Sequence, residues 1–146
     1  MTRELALVPE IHLFLFRAES VLLLLRANTG YEDEKYCAIS GHVESEEIVT
    51  AAVIREAQEE VGVKIDARNL QFCHVMQVRA DNLRNGRVAF FFACSQWAGR
   101  VHNMEPDRCD SLEWFPRSNL PHNTIPYIHQ ALQLIPEQTY SEYGWE

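Results

Sequence analysis

The chain has 146 residues, 47% of them apolar, the size and composition expected of one domain with its own core, spanning residues 1–146. Its 21 acidic and 13 basic side chains give a formal charge of −8, which excludes the sequence-independent grip on a nucleic-acid backbone that clustered Lys and Arg supply. The longest apolar run, Val88 to Cys94, is seven residues against the roughly 20 that a membrane-spanning helix needs, so no membrane partner is expected.

Ile11 to Arg17 and Val21 to Arg26 are short apolar runs joined by Ala18-Glu19-Ser20, which reads as a hairpin of largely buried strands. The polar stretch Asn28 to Lys35 contains Gly30 and four charged residues and reads as a mobile loop near the mouth of a site. Residues 41 to 63 follow with a predicted helix that ends at Gly62, a natural left-handed cap just past Val61.

At about 100° per residue, Glu56, Glu59 and Glu60 fall within an arc of roughly 100° on that helix, while Ile54, Ala57 and Val61 occupy the opposite side and can dock on a core. Carboxylates at i and i+4 repel, so Glu56 and Glu60 weaken a bare helix by a few tenths of a kcal/mol, and Glu59 adds to the strain. A hard divalent cation would offset this. Mg²⁺ or Mn²⁺ takes oxygen ligands and bridges carboxylates to phosphates, which suits such a face better than zinc or calcium. Taken alone, the three glutamates read better as a solvated acidic helix face than as a metal site.

Gln71 to Arg79 and Arg87 to Trp97 read as two further strands, linked through Asp81-Asn82-Leu83-Arg84-Asn85-Gly86 with Asn85-Gly86 as the turn signal. Leu112 to Phe115 is a short strand, and Pro126 to Ile135 an amphipathic helix with proline in its first turn. Strands before, between and after two helices indicate an α/β fold, a mixed sheet with helices on both faces. Cys37, Cys73, Cys94 and Cys109 form no C-x-x-C pair, and the N-terminus carries no basic segment followed by an apolar one. A cytoplasmic protein with free thiols is the expectation. The six histidines show no zinc-ligand spacing.

Taken whole, residues 41–63 resemble the Nudix box, G-x5-E-x7-R-E-U-x-E-E-x-G-U with U a bulky aliphatic. Gly41 opens it, Glu47 follows, then Arg55-Glu56, Glu59-Glu60 and Gly62-Val63, all at the required spacing. Ala57 departs from the aliphatic position, and Ile39-Ser40-Gly41 stands where relatives usually carry Pro-Gly-Gly. The resemblance implies an α/β/α sandwich and a metal shell made by the Gly41 carbonyl with Glu56, Glu59 and Glu60. It also implies that Arg55 orients the glutamates and that Glu56 or Glu59 is the base. Glu47 is expected in the first helical turn, where a carboxylate favours the helix dipole whatever else it does.

Glu105, in Asn103-Met104-Glu105-Pro106-Asp107, and Trp114, in Leu112-Glu113-Trp114-Phe115, are similar to the Glu…Trp-Phe segment of MutT-like pyrophosphohydrolases. The likeness implies that Glu105 completes the metal shell and that Trp114 lies against the base, a packing role for Trp114 being the even alternative. The expected activity is Mg²⁺-dependent hydrolysis of a nucleoside triphosphate to monophosphate and pyrophosphate, with Mn²⁺ as a substitute metal. The absence of an appended domain to select a bulky second moiety argues for that choice. The alternative substrate is a nucleotide sugar or dinucleoside polyphosphate. A Nudix-fold binding module without turnover, or a metal-buffering acidic protein, explains the intact box less well. The partner is a small-molecule nucleotide, not a nucleic-acid polymer, and the oligomeric state is left open, a homodimer included.

Overall fold

The computed structural model describes residues 5–82 and 84–146, so Leu83, inside one of the expected turns, lies outside the described residues. Along the chain run β1 (Val8–Arg17), β2 (Ser20–Arg26), β3 (Tyr36–Cys37), β4 (Ile39–His42), α1 (Val49–Val61), β5 (Gln71–Val78), β6 (Arg87–Cys94), β7 (Cys109–Pro116), α2 (Pro126–Leu134) and β8 (Tyr140–Tyr143). The hairpin, both helices and the three later strands lie where the sequence places them. β3, β4 and β8 were not expected, being two to four residues long and carrying no alternation of apolar and polar side chains.

The chain reverses between β1 and β2 at Ala18, which takes the left-handed φ of 52°. The two strands then pair only at Phe16 with Val21 and Arg17 with Ser20 before they part. β1 runs on between β4, antiparallel over Glu10 to Leu13, and β6, parallel from Val8 to Leu15. β2 runs on between β3 and β7, both antiparallel. β5 pairs antiparallel with β6 and parallel with β8, which completes a mixed sheet of eight strands.

Side chains alternate along β1, so Ile11, Leu13 and Leu15 face one side and His12 and Phe14 the other. Gly41 pairs with Ile11, and the position a Cβ would take on Gly41 is filled by Glu56 of α1, so α1 covers the Ile11 face. His12 instead meets Tyr127 of α2, ring centroids 5.6 Å apart, so α2 covers the opposite face. The result is the expected α/β/α sandwich. Ile11, Leu13, Phe14, Leu15, Ile39, Phe91 and Ile128 are fully buried, each contributing about 1.5–3 kcal/mol through apolar burial.

α1 buries Ala52, Val53, Ala57 and Val61, while Ile54 is only half-buried. It stops at Gly62, whose φ of 72° is the left-handed cap and whose N–H donates to the Gln58 carbonyl at 3.1 Å. At its other end the helix begins at Val49, after Ile48. Glu47 therefore precedes the first turn instead of sitting in it, because its carboxylate is engaged by Arg55 and by the Glu44 N–H, which holds the chain in a loop there. The reversal before β6 is held by Asp81 and Arg84, which exchange two hydrogen bonds, while Gly86 offers its carbonyl to Val8. Among the described residues, no helix is long and apolar enough to cross a membrane, and the four cysteines are free thiols.

Candidate functional site

Because β1 and β2 separate after two paired residues, a cleft opens between their neighbours, and it forms a cavity of about 560 Å³. β1 contributes Glu10 and His12 to its wall, β2 contributes Leu24 and Arg26, and β4 contributes Ser40, Gly41 and His42. Glu56, Glu59 and Glu60 reach it from α1, and Glu105 and Arg108 from the segment between β6 and β7. The metal-shell residues expected from the sequence are thus gathered at one cavity.

Glu60 is the most enclosed of these carboxylates. Burial pushes it well above the usual carboxylate range, and its hydrogen bond to Glu56 with the like charges of Glu56 and Glu105 pushes further, against a lowering bond from the Ser40 N–H at 3.1 Å. Burial, then the charge of Glu56, also raises Glu105. A cluster of carboxyls that resist losing their protons is one that a cation would relieve, and its oxygen donors suit a hard divalent ion. Among the described residues, no three His, Cys, Asp or Glu side chains already form a metal cage. Two of the candidate ligands, Glu56 and Glu59, are held by Arg55.

Arg55 Nη1 lies 2.6 Å from Glu56 Oε1 and 3.2 Å from Glu59 Oε2, while Nε and Nη2 take Glu47 at 2.8 and 3.0 Å. Nη2 also donates to the His42 carbonyl at 3.1 Å, tying the helix to the end of β4. The Arg55 hydrogen bonds hold the Glu47 carboxyl down at about 2, with help from the Glu44 N–H. Glu47 is in this way an anchor for Arg55, and Arg55 sets the direction of Glu56 and Glu59.

Ser40 and Gly41 do not have positive φ, so the entry to the box has adapted to ordinary strand geometry. Gly41 is needed for space: a Cβ there would stand 2.6 and 2.7 Å from the two oxygens of Glu56. Glu105 is carried to the cavity by a segment fastened to the last turn of α1, where His102 N–H and Met104 N–H donate to the carbonyls of Val61 and Glu60 at 3.0 and 3.1 Å. Asn103 then braces the bend, its Oδ1 accepting from Glu105 N–H and its Nδ2 donating to the Cys109 carbonyl.

Trp114 is not brought to the cavity. It pairs across the sheet with Leu22, stacks on Trp97 with centroids 6.2 Å apart, and lies under the Arg17 guanidinium at 4.2 Å. Aromatic rings that do line the cavity are Tyr31, from the loop after β2, and Tyr127 of α2. That loop is hydrogen-bonded throughout: Asp33 accepts from the N–H groups of Thr29 and Gly30, and Arg26 donates to the Tyr31 carbonyl at 2.8 Å.

Glu10 and His12 also escaped the sequence reading. Their signal was a polar pair at i and i+2 inside an apolar strand, which places both on one face. Burial opposes ionisation of Glu10, but the bond from His12 and the charges of His12 and Arg87 outweigh it and hold the carboxyl low.

Residues 7–136 match the family model of the NUDIX domain. No curated protein matches the chain. Among solved structures, the MutT NUDIX hydrolase from Burkholderia pseudomallei has a TM-score of 0.82 at 24% identity, covering 89% of this chain and 98% of that one. The MutT protein from Bacillus halodurans reaches 0.74 at 18% identity, over 93% and 88% of the two chains. A UDP-X diphosphatase reaches 0.69 at 14% identity, over 96% and 70%. At these identities the likeness is one of fold.

Proposed function

This chain belongs to the NUDIX domain family and is a MutT-like Nudix hydrolase, and on that premise we propose that it cleaves a nucleoside triphosphate to nucleoside monophosphate and pyrophosphate with Mg²⁺. The observation that carries the proposal is the convergence of Glu56, Glu59, Glu60 and Glu105 with Gly41 on one wall of a single cavity. Nudix hydrolases generally use divalent metal ions. Here Glu56, Glu59, Glu60 and Glu105 with the Gly41 carbonyl are the residues that would hold one. When bound, such an ion neutralises phosphate charge and lowers the pKa of a water.

The chain's own residues account for the rest. Arg55, clamped by Glu47, aims Glu56 and Glu59, and one of these two takes the proton of the attacking water. Arg26, Arg84 and Arg108 line the same cavity and meet the negative charge of a polyphosphate. Mn²⁺, with the same oxygen preference, can replace Mg²⁺. Residues 1–146 act as one domain in this reading.

A panel of nucleotides tests it, with pyrophosphate and orthophosphate release measured separately in the presence of Mg²⁺. Nucleoside triphosphates should exceed nucleotide sugars and dinucleoside polyphosphates in kcat/KM by more than tenfold, about 1.4 kcal/mol in transition-state binding, with pyrophosphate as product. A tenfold preference for a diphosphate-linked sugar, or orthophosphate alone, would reassign the substrate.

A further inference from the structure

A second cavity, of about 650 Å³, opens at the far end of β1, among the last residues of β1 and β6, the start of β5 and the chain leaving α2. Its size lies within the range of about 300–1,000 Å³ usual for small-molecule sites, and it shares no lining residue with the carboxylate cavity. Phosphoanhydride cleavage makes no use of it. The two cavities also differ in charge. Five glutamates line the first, whereas among the described residues the second is lined by Arg68 and Arg117 and by no carboxylate, in a chain whose formal charge is −8.

Arg68 is exposed and already paired with Asp66, Nε to Oδ2 at 3.1 Å. Arg117 is the available cation. Its guanidinium stands 4.5 Å from the Phe16 ring centroid, and among the described residues no carboxylate pairs with it. Burial raises the Cys73 thiol and the charge of Arg117 opposes this, which fits a guanidinium turned towards that wall of the cavity. Resting on a ring, it presents a fork of N–H donors that matches an oxyanion. Beside it Phe72 is 49% exposed and braced by a T-shaped contact with Phe92 at 5.7 Å, so a fixed aromatic surface is left uncovered. One free arginine balances one negative charge, so a polyphosphate is a poor match. Ring-on-ring contact gains more than the area it buries, which favours an aryl body over an alkyl chain. We propose that this cavity is a second binding site, for a small aromatic carboxylate whose charged group is held by Arg117 and whose ring packs on Phe72. The site stands apart from the hydrolytic one and does not depend on which substrate is cleaved there.

The test is calorimetric titration with 2-naphthoate, beside 2-naphthalenemethanol, which has the ring without the charge, and octanoate, which has the charge without the ring. Naphthoate should bind one per chain, about tenfold or more tighter than either. Arg117→Gln should bring naphthoate down to the level of the alcohol, and Phe72→Ala should remove its advantage over octanoate. Two measurements on the wild-type protein locate the ligand without any variant, and they decide the matter if Arg117→Gln does not fold. Cys73 is the half-exposed thiol of this cavity, the other three cysteines being buried, so saturating naphthoate should slow its alkylation by iodoacetamide, followed by mass spectrometry. ATP should not displace naphthoate. Absence of naphthoate binding, equal binding of the alcohol or of octanoate, displacement by ATP, or unprotected Cys73 would each overturn the site.

Discussion

Gly41 and Glu56 share the same space: a Cβ on Gly41 would lie 2.6 and 2.7 Å from the two carboxylate oxygens of Glu56. Gly41 does not have positive φ, so alanine is acceptable to the backbone and the conflict is steric alone. The carboxylate is the end of a flexible side chain and can swing aside, so Gly41→Ala should cost no more than about 1–3 kcal/mol in stability. What it loses is the position of Glu56. Hydrolysis should fall by about tenfold or more as that placement is disturbed, measured as kcat beside a denaturant melt. Wild-type kcat in a folded Gly41→Ala protein would remove Glu56 from the reaction.

Glu60→Gln separates charge from shape. Glutamine can still accept the Ser40 N–H while removing one of the crowded carboxyls near Glu56 and Glu105. The unfolding midpoint should stay at or above that of wild type, while kcat falls by about a hundredfold or more, the scale of several kcal/mol of lost charge stabilisation. Glu56→Gln should lose turnover likewise. Near wild-type turnover in both variants would dismiss the metal-site assignment.

Trp114→Leu should act on stability, not on substrate. The stack on Trp97 and the Arg17 contact are both away from the cavity. Losing the aromatic pair should cost about 0.5–1.5 kcal/mol beyond the change in buried area, with KM for the preferred nucleotide unchanged. A raised KM at unchanged Tm would return Trp114 to the substrate site.

These three residues mark what local sequence can and cannot convey. Glu60 and Gly41 were legible because the box spacing puts them on a helix face and at its approach, and both requirements are local. The role of Trp114 depends on Trp97, a partner brought near by the fold, so no neighbouring residues announce it. β4 was missed for a related reason: Ser40-Gly41-His42 has no strand pattern of its own and is drawn into the sheet by pairing with β1. Glu10 and His12 are strand residues whose meaning appears only when Arg87, Phe91 and Tyr127 close around them.

Acid should loosen the Glu47–Arg55 clamp in a defined window. The folded Glu47 carboxyl is held at about 2 against an ordinary value of 4.5, so its contribution is complete above about pH 4.5 and disappears as the pH falls through 2. The stability gap between wild type and Glu47→Gln should be constant above pH 5 and close towards pH 2, as followed by urea melts across that range. A gap independent of pH would show that the ionised carboxylate does not matter.

Ser40→Gly should destabilise. Ser40 has ordinary strand dihedrals, so glycine relieves no strain and only enlarges the freedom of the unfolded chain, at about 0.4–1 kcal/mol. Denaturant melts with and without Mg²⁺ should show this loss in both conditions. A stabilised variant with tighter Mg²⁺ binding would show that the loop still carries strain.

The early parting of β1 and β2 has a thermodynamic consequence. Among the described residues, β1 and β2 pair with each other at Phe16–Val21 and Arg17–Ser20 alone, the chain crosses again between their half-sheets where β3 runs into β4, and the cavity is the seam that opens between these joints. A molecule touching Glu10 or His12 on one lip and Leu24 or Arg26 on the other adds a further link between the halves. Its binding free energy is then also cohesion of the sheet, and the protein is held most firmly together when the seam is filled.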